Sequence, residues 1–179
     1  MLRLTRFMAV TLLTLAVTGC VTMSVASHFD RGVNFSQFRT WDWGPADALP
    51  TGDPRLDNNP FFVDHLEGAV EKQMAGRGFI RAIPGMTPDL RIHYHANINQ
   101  RFEVSGIDRD RGYSSDEPRV IEYEQGTLVI DIVDVRTNKV VWRGWAQDSV
   151  QGMIDNQDRM EKQIDEAVTK MMRLLPRSL

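Results

Sequence analysis

One cysteine in 179 residues leaves this chain unable to close an internal disulfide. It also lacks any apolar run of the roughly 20 residues that a membrane-crossing helix needs; the stretch from Phe7 to Val17 is too short. Basic charge is not in excess, with 21 Lys and Arg against 24 Asp and Glu and a net charge of −3. A domain of that balance has no electrostatic footprint for nucleic acid or for an anionic lipid surface. Lysine is scarce beside arginine, which reads as genome composition rather than as a set of recognition sites. Catalytic signatures are missing too. There is no Gly-x-Ser-x-Gly elbow, no cysteine with a histidine partner and no glycine-rich phosphate loop. Repeats and low-complexity tracts are absent, so the length suits one domain that builds its own core.

The start of the chain is informative. Arg3 and Arg6 precede the short apolar run, and Val17-Thr18-Gly19-Cys20 follows it. This order resembles the lipobox of bacterial lipoprotein signal peptides, with the only cysteine where lipidation needs it. The resemblance implies that residues 1–19 are a removable signal peptide and that residues 20–179 are a single lipid-anchored domain. Cys20 would carry a diacylglyceryl thioether and an amide-linked acyl chain. Each buried methylene adds about 0.8 kcal/mol, so three chains anchor the domain to a membrane without embedding it. Val21, Met23 and Val25 alternate with small or polar residues, as in a half-buried strand that starts almost directly after the lipid. An extended residue reaches only about 3.3–3.6 Å, so the domain is expected to sit close against the headgroups.

Further along, Arg39-Thr40-Trp41-Asp42-Trp43 reads as a short strand with both tryptophans on one side, and Gly44 to Asn59 reads as loop. Asn59-Pro60 is an N-cap with proline at the first helical position, and Phe62, Leu66, Ala69, Val70 and Met74 mark an apolar helical stripe ending near Gly76 or Gly78. Phe79 to Ile83 is a short strand before the Pro84-Gly85 turn. Leu90, Ile92, Tyr94, Ala96 and Ile98 alternate strictly with Arg91, His93, His95, Asn97 and Asn99, the pattern of a two-faced antiparallel strand with a solvated side. Residues 103–118 are polar and read as a mobile connection. A long strand through Val120–Asp134 and a second through Val140–Ala146 make a hairpin about Arg136-Thr137-Asn138-Lys139. Asp155 or Asn156 caps a last helix, with Met160, Ile164, Ala167, Val168, Met171 and Leu175 on one stripe until Pro176. The expected fold is α+β: a two-layer sandwich of a largely antiparallel sheet with two amphipathic helices on one face.

Asn34-Phe35-Ser36-Gln37-Phe38-Arg39-Thr40-Trp41-Asp42-Trp43, Pro88-Asp89-Leu90, Gly126-Thr127-Leu128-Val129-Ile130-Asp131, Val141-Trp142-Arg143-Gly144-Trp145-Ala146 and the closing Leu175-Pro176 together resemble the bacterial lipoprotein family described as domain of unknown function 4136. The resemblance covers nearly all of residues 20–179. It implies an envelope lipoprotein of Gram-negative-type bacteria and brings no activity with it. By analogy with such lipoproteins, Val21 in place of an aspartate after Cys20 points to the outer membrane, facing the periplasm.

Candidate sites are few. His93 and His95 share one strand face about 7 Å apart and could be two ligands of a zinc ion, but spacing supplies no third ligand, since His28 and His65 fall in other elements. Asp108-x-Asp110 with Asp116-Glu117 fails the calcium-loop pattern at Gly112, and Arg109 and Arg111 oppose a cation. Glu67, Glu71, Asp131 and Asp134 cannot be paired from spacing. If Leu128, Ile130, Ile132, Val140, Trp142 and Ala146 face the helices, then Val129, Val133, Val141 and Trp145 lie on the other sheet face. There they are either covered by the 44–59 loop or an edge of the same domain, or free to bind an envelope protein partner. The sequence thus favours a non-enzymatic interaction or envelope-maintenance module without a cofactor. A small-ligand or metal-binding lipoprotein is the alternative and a hydrolase a distant third.

Overall fold

The computed structural model describes residues 23–44, 53–105 and 119–177, with backbone alone over 102–105 and 119–121. The signal segment, Cys20, Val21, residues 45–52 of the loop expected to cover the Trp145 face, and the segment 106–118, with its Asp108-x-Asp110 pattern, lie outside the described residues.

Among the described residues six strands form one mixed sheet: β1 (Ser24–Phe29), β2 (Thr40–Trp43), β3 (Ile80–Arg81), β4 (Leu90–Ser105), β5 (Arg119–Asp134) and β6 (Lys139–Ser149). Their order is β1-β6-β5-β4-β2-β3. The first four in that order are mutually antiparallel, as the alternation in their sequences implies. β2 is parallel to both β3 and β4. The sheet is thus largely antiparallel, as expected, and the parallel placement of β2 follows from connectivity, because a parallel pair needs a long crossover and the helical segment between β2 and β3 supplies it.

Part of the expected 44–59 loop is a helix, α1 (Pro54–Asp57), capped by Asp53, whose side chain accepts from the Arg55 N–H at 2.9 Å. α2 (Pro60–Gly76) starts where Asn59 Oδ1 accepts from the Phe62 N–H at 3.2 Å and buries Phe62, Leu66, Val70 and Met74. Its end is set by Gly78, at φ 89°, which lets the Phe79 N–H reach back to the Met74 carbonyl at 3.1 Å. α3 (Gln157–Met172) is capped by Asn156 and buries Met160, Ile164, Ala167, Val168, Met171 and Met172. Both long helices pack on one sheet face, against Leu90, Ile92, Ala96, Leu128, Ile130, Ile132, Trp142 and Ala146. Trp41 completes that core.

Two features of the sheet bear on function. The β5–β6 ladder slips at a bulge between Ile132 and Val133, so Ile132 opposes Trp142 while Val133 opposes Val140. One extra residue reverses the facing of those before it. Val140 is therefore 45% exposed and Val141 only 2% exposed, the opposite of the alternation expected from sequence. In addition, β4 and β5 outrun their neighbours. β6 ends at Ser149 opposite Gln125, yet β4–β5 pairing continues to Ser105 opposite Arg119. This two-stranded arm takes in residues expected from sequence to belong to a mobile connection. It leaves the body at the end of the sheet where β1 begins, since Ser24, Gln147, Thr127 and Asn97 form one cross-strand row.

Candidate functional site

The sheet face away from the helices is organised in cross-strand rows set by the register. His28, Arg143, Asp131 and His93 form one row, and Ala26, Trp145, Val129 and His95 the next. Val133, beyond the first row, lies between Arg91 and Val140. Ala26, Val129, Val133 and Trp145 are half-buried on this face, so three of the four residues singled out from sequence lie on it, Val129 opposite Trp145 and Val133 beyond the polar row. Val141 does not join them, because the bulge buries it.

The polar row is built around an ion pair. Arg143 donates from Nε and from a terminal nitrogen to the two Asp131 carboxylate oxygens, each at 2.6 Å. Asp131 is buried and the Arg143 side chain is 52% exposed. The carboxylate raises the Arg143 guanidinium above its ordinary value through these hydrogen bonds and its charge. A bidentate fork of this kind fixes both side chains. It is a cross-strand pair of residues twelve apart in sequence, which spacing within either strand does not reveal.

His93 lies beside Asp131 in the same row and against Gly44, where an added Cβ would stand 2.0 Å from the imidazole. Burial pushes its pKa below the ordinary 6.5, with His95 and Arg91 adding to the shift and Asp131 opposing it. His93 and His95 are thus half-buried rather than on a solvated face. His28 is three strands from His93, roughly 14 Å at the usual ~4.8 Å spacing, too far to share an ion with it. Among the described residues no group of three His, Cys, Asp or Glu side chains is placed to hold a metal.

Other acids have structural partners. Glu71 pairs with Arg81. Asp134 accepts from the Arg136 and Thr137 N–H groups at 2.9 and 3.3 Å and organises the β5–β6 turn. Glu67 is pushed up by burial, against the pull of Arg81. It belongs to α2 on the helix side, so it and His93 are on opposite sides of the sheet and do not converge on one cleft.

Between the helices and the sheet lies an apolar cavity of about 60 Å³, lined by Met23, Leu56, Phe62, Leu128, Met153 and Ile164 among others. Pockets for small organic ligands run to roughly 300–1,000 Å³, so this one is a packing gap at water scale.

The motifs that carry the family resemblance have structural jobs. Asp89 clasps β4 to β2: its carboxylate accepts from the Arg39 and Thr40 N–H groups at 2.8 and 2.9 Å and from the Thr40 hydroxyl at 3.1 Å. In Trp142-x-Gly144, the buried indole lies over Gly144, where a Cβ would come within 2.2 Å of the ring. Gly126 likewise makes room for Val150, since a Cβ there would stand 2.6 Å from a Val150 methyl.

No curated protein matches the chain by sequence. Among solved structures, a PDZ domain protein from Parabacteroides distasonis superposes with a TM-score of 0.53 at 16% identity, over 85% of this chain and 36% of that one. The chain thus spans little more than a third of that protein's length. A DUF4136 family protein from Bacteroides thetaiotaomicron gives a TM-score of 0.50 at 13% identity, over 83% of this chain and 95% of that one. Identities this low speak for the fold alone. The family model for the domain of unknown function DUF4136 matches residues 25–177, nearly the whole of the described fold, and the chain belongs to that family.

Proposed function

We propose that this protein is a lipid-anchored module of the bacterial cell envelope, held through Cys20 at the periplasmic face of the outer membrane, and that it works by binding an envelope protein rather than by catalysis. The observation that carries this reading is the row Ala26–Trp145–Val129 on the sheet face away from α2 and α3. A half-buried tryptophan flanked by apolar neighbours and an arginine–carboxylate pair is the composition of a binding hot spot.

Trp145→Ala tests the contact, because Trp145 is only half-buried and its loss should leave the fold intact. Crosslinking in living cells should recover a specific envelope protein with the wild-type chain and lose it with the variant. Unchanged recovery of every partner, with the variant folded by circular dichroism, would refute the proposal. Cys20→Ser should move the protein from the membrane to the soluble periplasmic fraction.

A metal-binding reading rests on His93 and His95 sharing a face beside Asp131. Zinc titration of the purified domain tests it. Stoichiometric binding lost on His93→Ala would support it, and no binding at micromolar zinc would end it.

A further inference from the structure

We infer that β1 is a docking edge for an extended acidic segment, which adds to the sheet as a further strand and seats a carboxylate in a pocket at the end of β1. That the segment belongs to an envelope protein rests on the reading proposed above. Of the two outermost strands, β3 is only two residues long, whereas β1 pairs with β6 without interruption from Ser24 to Phe29. The phase of that ladder is fixed by the Asp30 N–H, which donates to the Val141 carbonyl at 3.0 Å. Antiparallel pairs alternate between bonded and unbonded. Ser24, Ala26 and His28 therefore turn their backbone groups to β6, and Val25, Ser27 and Phe29 turn theirs away. Among the described residues no strand meets these outward groups.

Natural edge strands are guarded against such pairing by charge, proline or a bulge. β1 reads Ser-Val-Ala-Ser-His-Phe, with no acid, lysine, arginine or proline, and its ladder carries no bulge. It is thus a template for strand addition, in which backbone hydrogen bonds hold the partner and side-chain pockets select it.

The selecting chemistry lies at the end of the strand. His28, Asp30, Arg31, Val140 and Arg143 border a pocket of about 390 Å³, within the roughly 300–1,000 Å³ of ligand sites. Arg143 spends Nε and one terminal nitrogen on the buried Asp131, and its other terminal nitrogen is free of that fork. Arg31 is exposed, and among the described residues no ion pair holds it. The acid in the lining, Asp30, closes its own turn by accepting from the Gly32 N–H at 2.8 Å. Guanidinium groups so placed suit a carboxylate. A second copy of the chain fits less well, because its β1 has no acid to bring to the pocket. An added strand would also reach the tryptophan row, since Ala26 alone separates that edge from Trp145 and presents only a methyl group.

The experiment uses the full mature chain, acylated and in detergent micelles, and reads the fluorescence anisotropy of labelled peptides. The probe is a peptide of alternating threonine and valine, as long as β1 and flanked at both ends by glutamates; its control carries glutamines there. The acidic peptide should bind about tenfold more tightly than the control, as hydrogen bonds to a charged group warrant, and lose that margin in Arg31→Gln. Ser27→Pro should abolish binding of both, because proline there removes an outward N–H and leaves the β6 ladder whole. Circular dichroism checks that variant, and Arg31→Gln, in an exposed turn, keeps the test decisive should the proline unfold the chain. Equal binding of the two peptides, binding by a folded Ser27→Pro protein, or no binding overturns the inference. So does a dimer in light scattering that Ser27→Pro dissolves, because a second copy would then hold the edge. Absence of the peptide complex beside a Trp145-dependent crosslink removes only this inference, and a crosslink indifferent to Trp145 removes only the earlier reading.

Discussion

Adding one methyl group to Gly144 should be among the most damaging small changes in the molecule. A Cβ built there meets the Trp142 ring at 2.2, 2.8 and 3.0 Å, where ordinary contact begins near 3.4 Å. The indole would have to retreat by about 1 Å, yet Trp142 is fully buried in a close-packed core. Overpacking of this kind costs typically 1–3 kcal/mol, and the rigidity of the ring places Gly144→Ala near ~3 kcal/mol. For a domain of this size each kcal/mol moves the melting temperature by roughly 2–4 °C, so a fall of about 6–12 °C is expected. Gly68→Ala provides the opposite case, since nothing lies within 4 Å of its Cβ position on α2. There alanine should stabilise by about 0.8–1 kcal/mol through helix propensity alone. Thermal melts by circular dichroism measure both. A double-mutant cycle sharpens the test: in a Trp142→Phe background the ring is smaller, and the added cost of Gly144→Ala should drop below ~1 kcal/mol. A Gly144→Ala protein that melts with wild type, or a cost unchanged by Trp142→Phe, would refute the packing argument.

Three further outcomes follow from individual contacts. Burial alone would raise the Asp89 carboxyl, but the N–H groups of Thr40 and Arg39 and the Thr40 hydroxyl outweigh it and hold it below its ordinary 3.8. Its stabilisation is therefore present above pH 3.8 and lost as pH falls through the lower folded value, so Asp89→Asn should flatten acid-unfolding curves in that range. His93, depressed below 6.5 chiefly by burial, disfavours the protonated fold, so stability should fall as pH drops from 6.5, and His93→Gln should reduce the difference between melts at about pH 7.5 and about pH 5. Asp131→Asn breaks the fork to Arg143; with that arginine half in water, chemical denaturation should show a loss of only about 1 kcal/mol. A loss several-fold larger would mean that the pair organises the whole face.

The periodicities and caps written in the sequence were enough to determine the layers. Asn59, Asn156 and Gly78 mark helix ends, and strict alternation in Leu90–Ile98 sets which side of β4 meets the helices, whereas α3 stops at Met172, short of the Pro176 expected from sequence to end it. Those are local signals, because a cap or a period acts over a few residues. The parallel placement of β2 was not legible, since strand direction depends on how a crossover returns. Nor was the exchange of Val140 and Val141, because a bulge is a property of the paired ladder and not of either strand alone. The Asp131–Arg143 fork and the reach of the arm past its neighbours likewise depend on register between segments distant in sequence. Side-chain period and capping chemistry are carried by one segment at a time. Register, overhang and the exposure of a sheet face exist only once several segments are paired, and those decided where the candidate contacts lie.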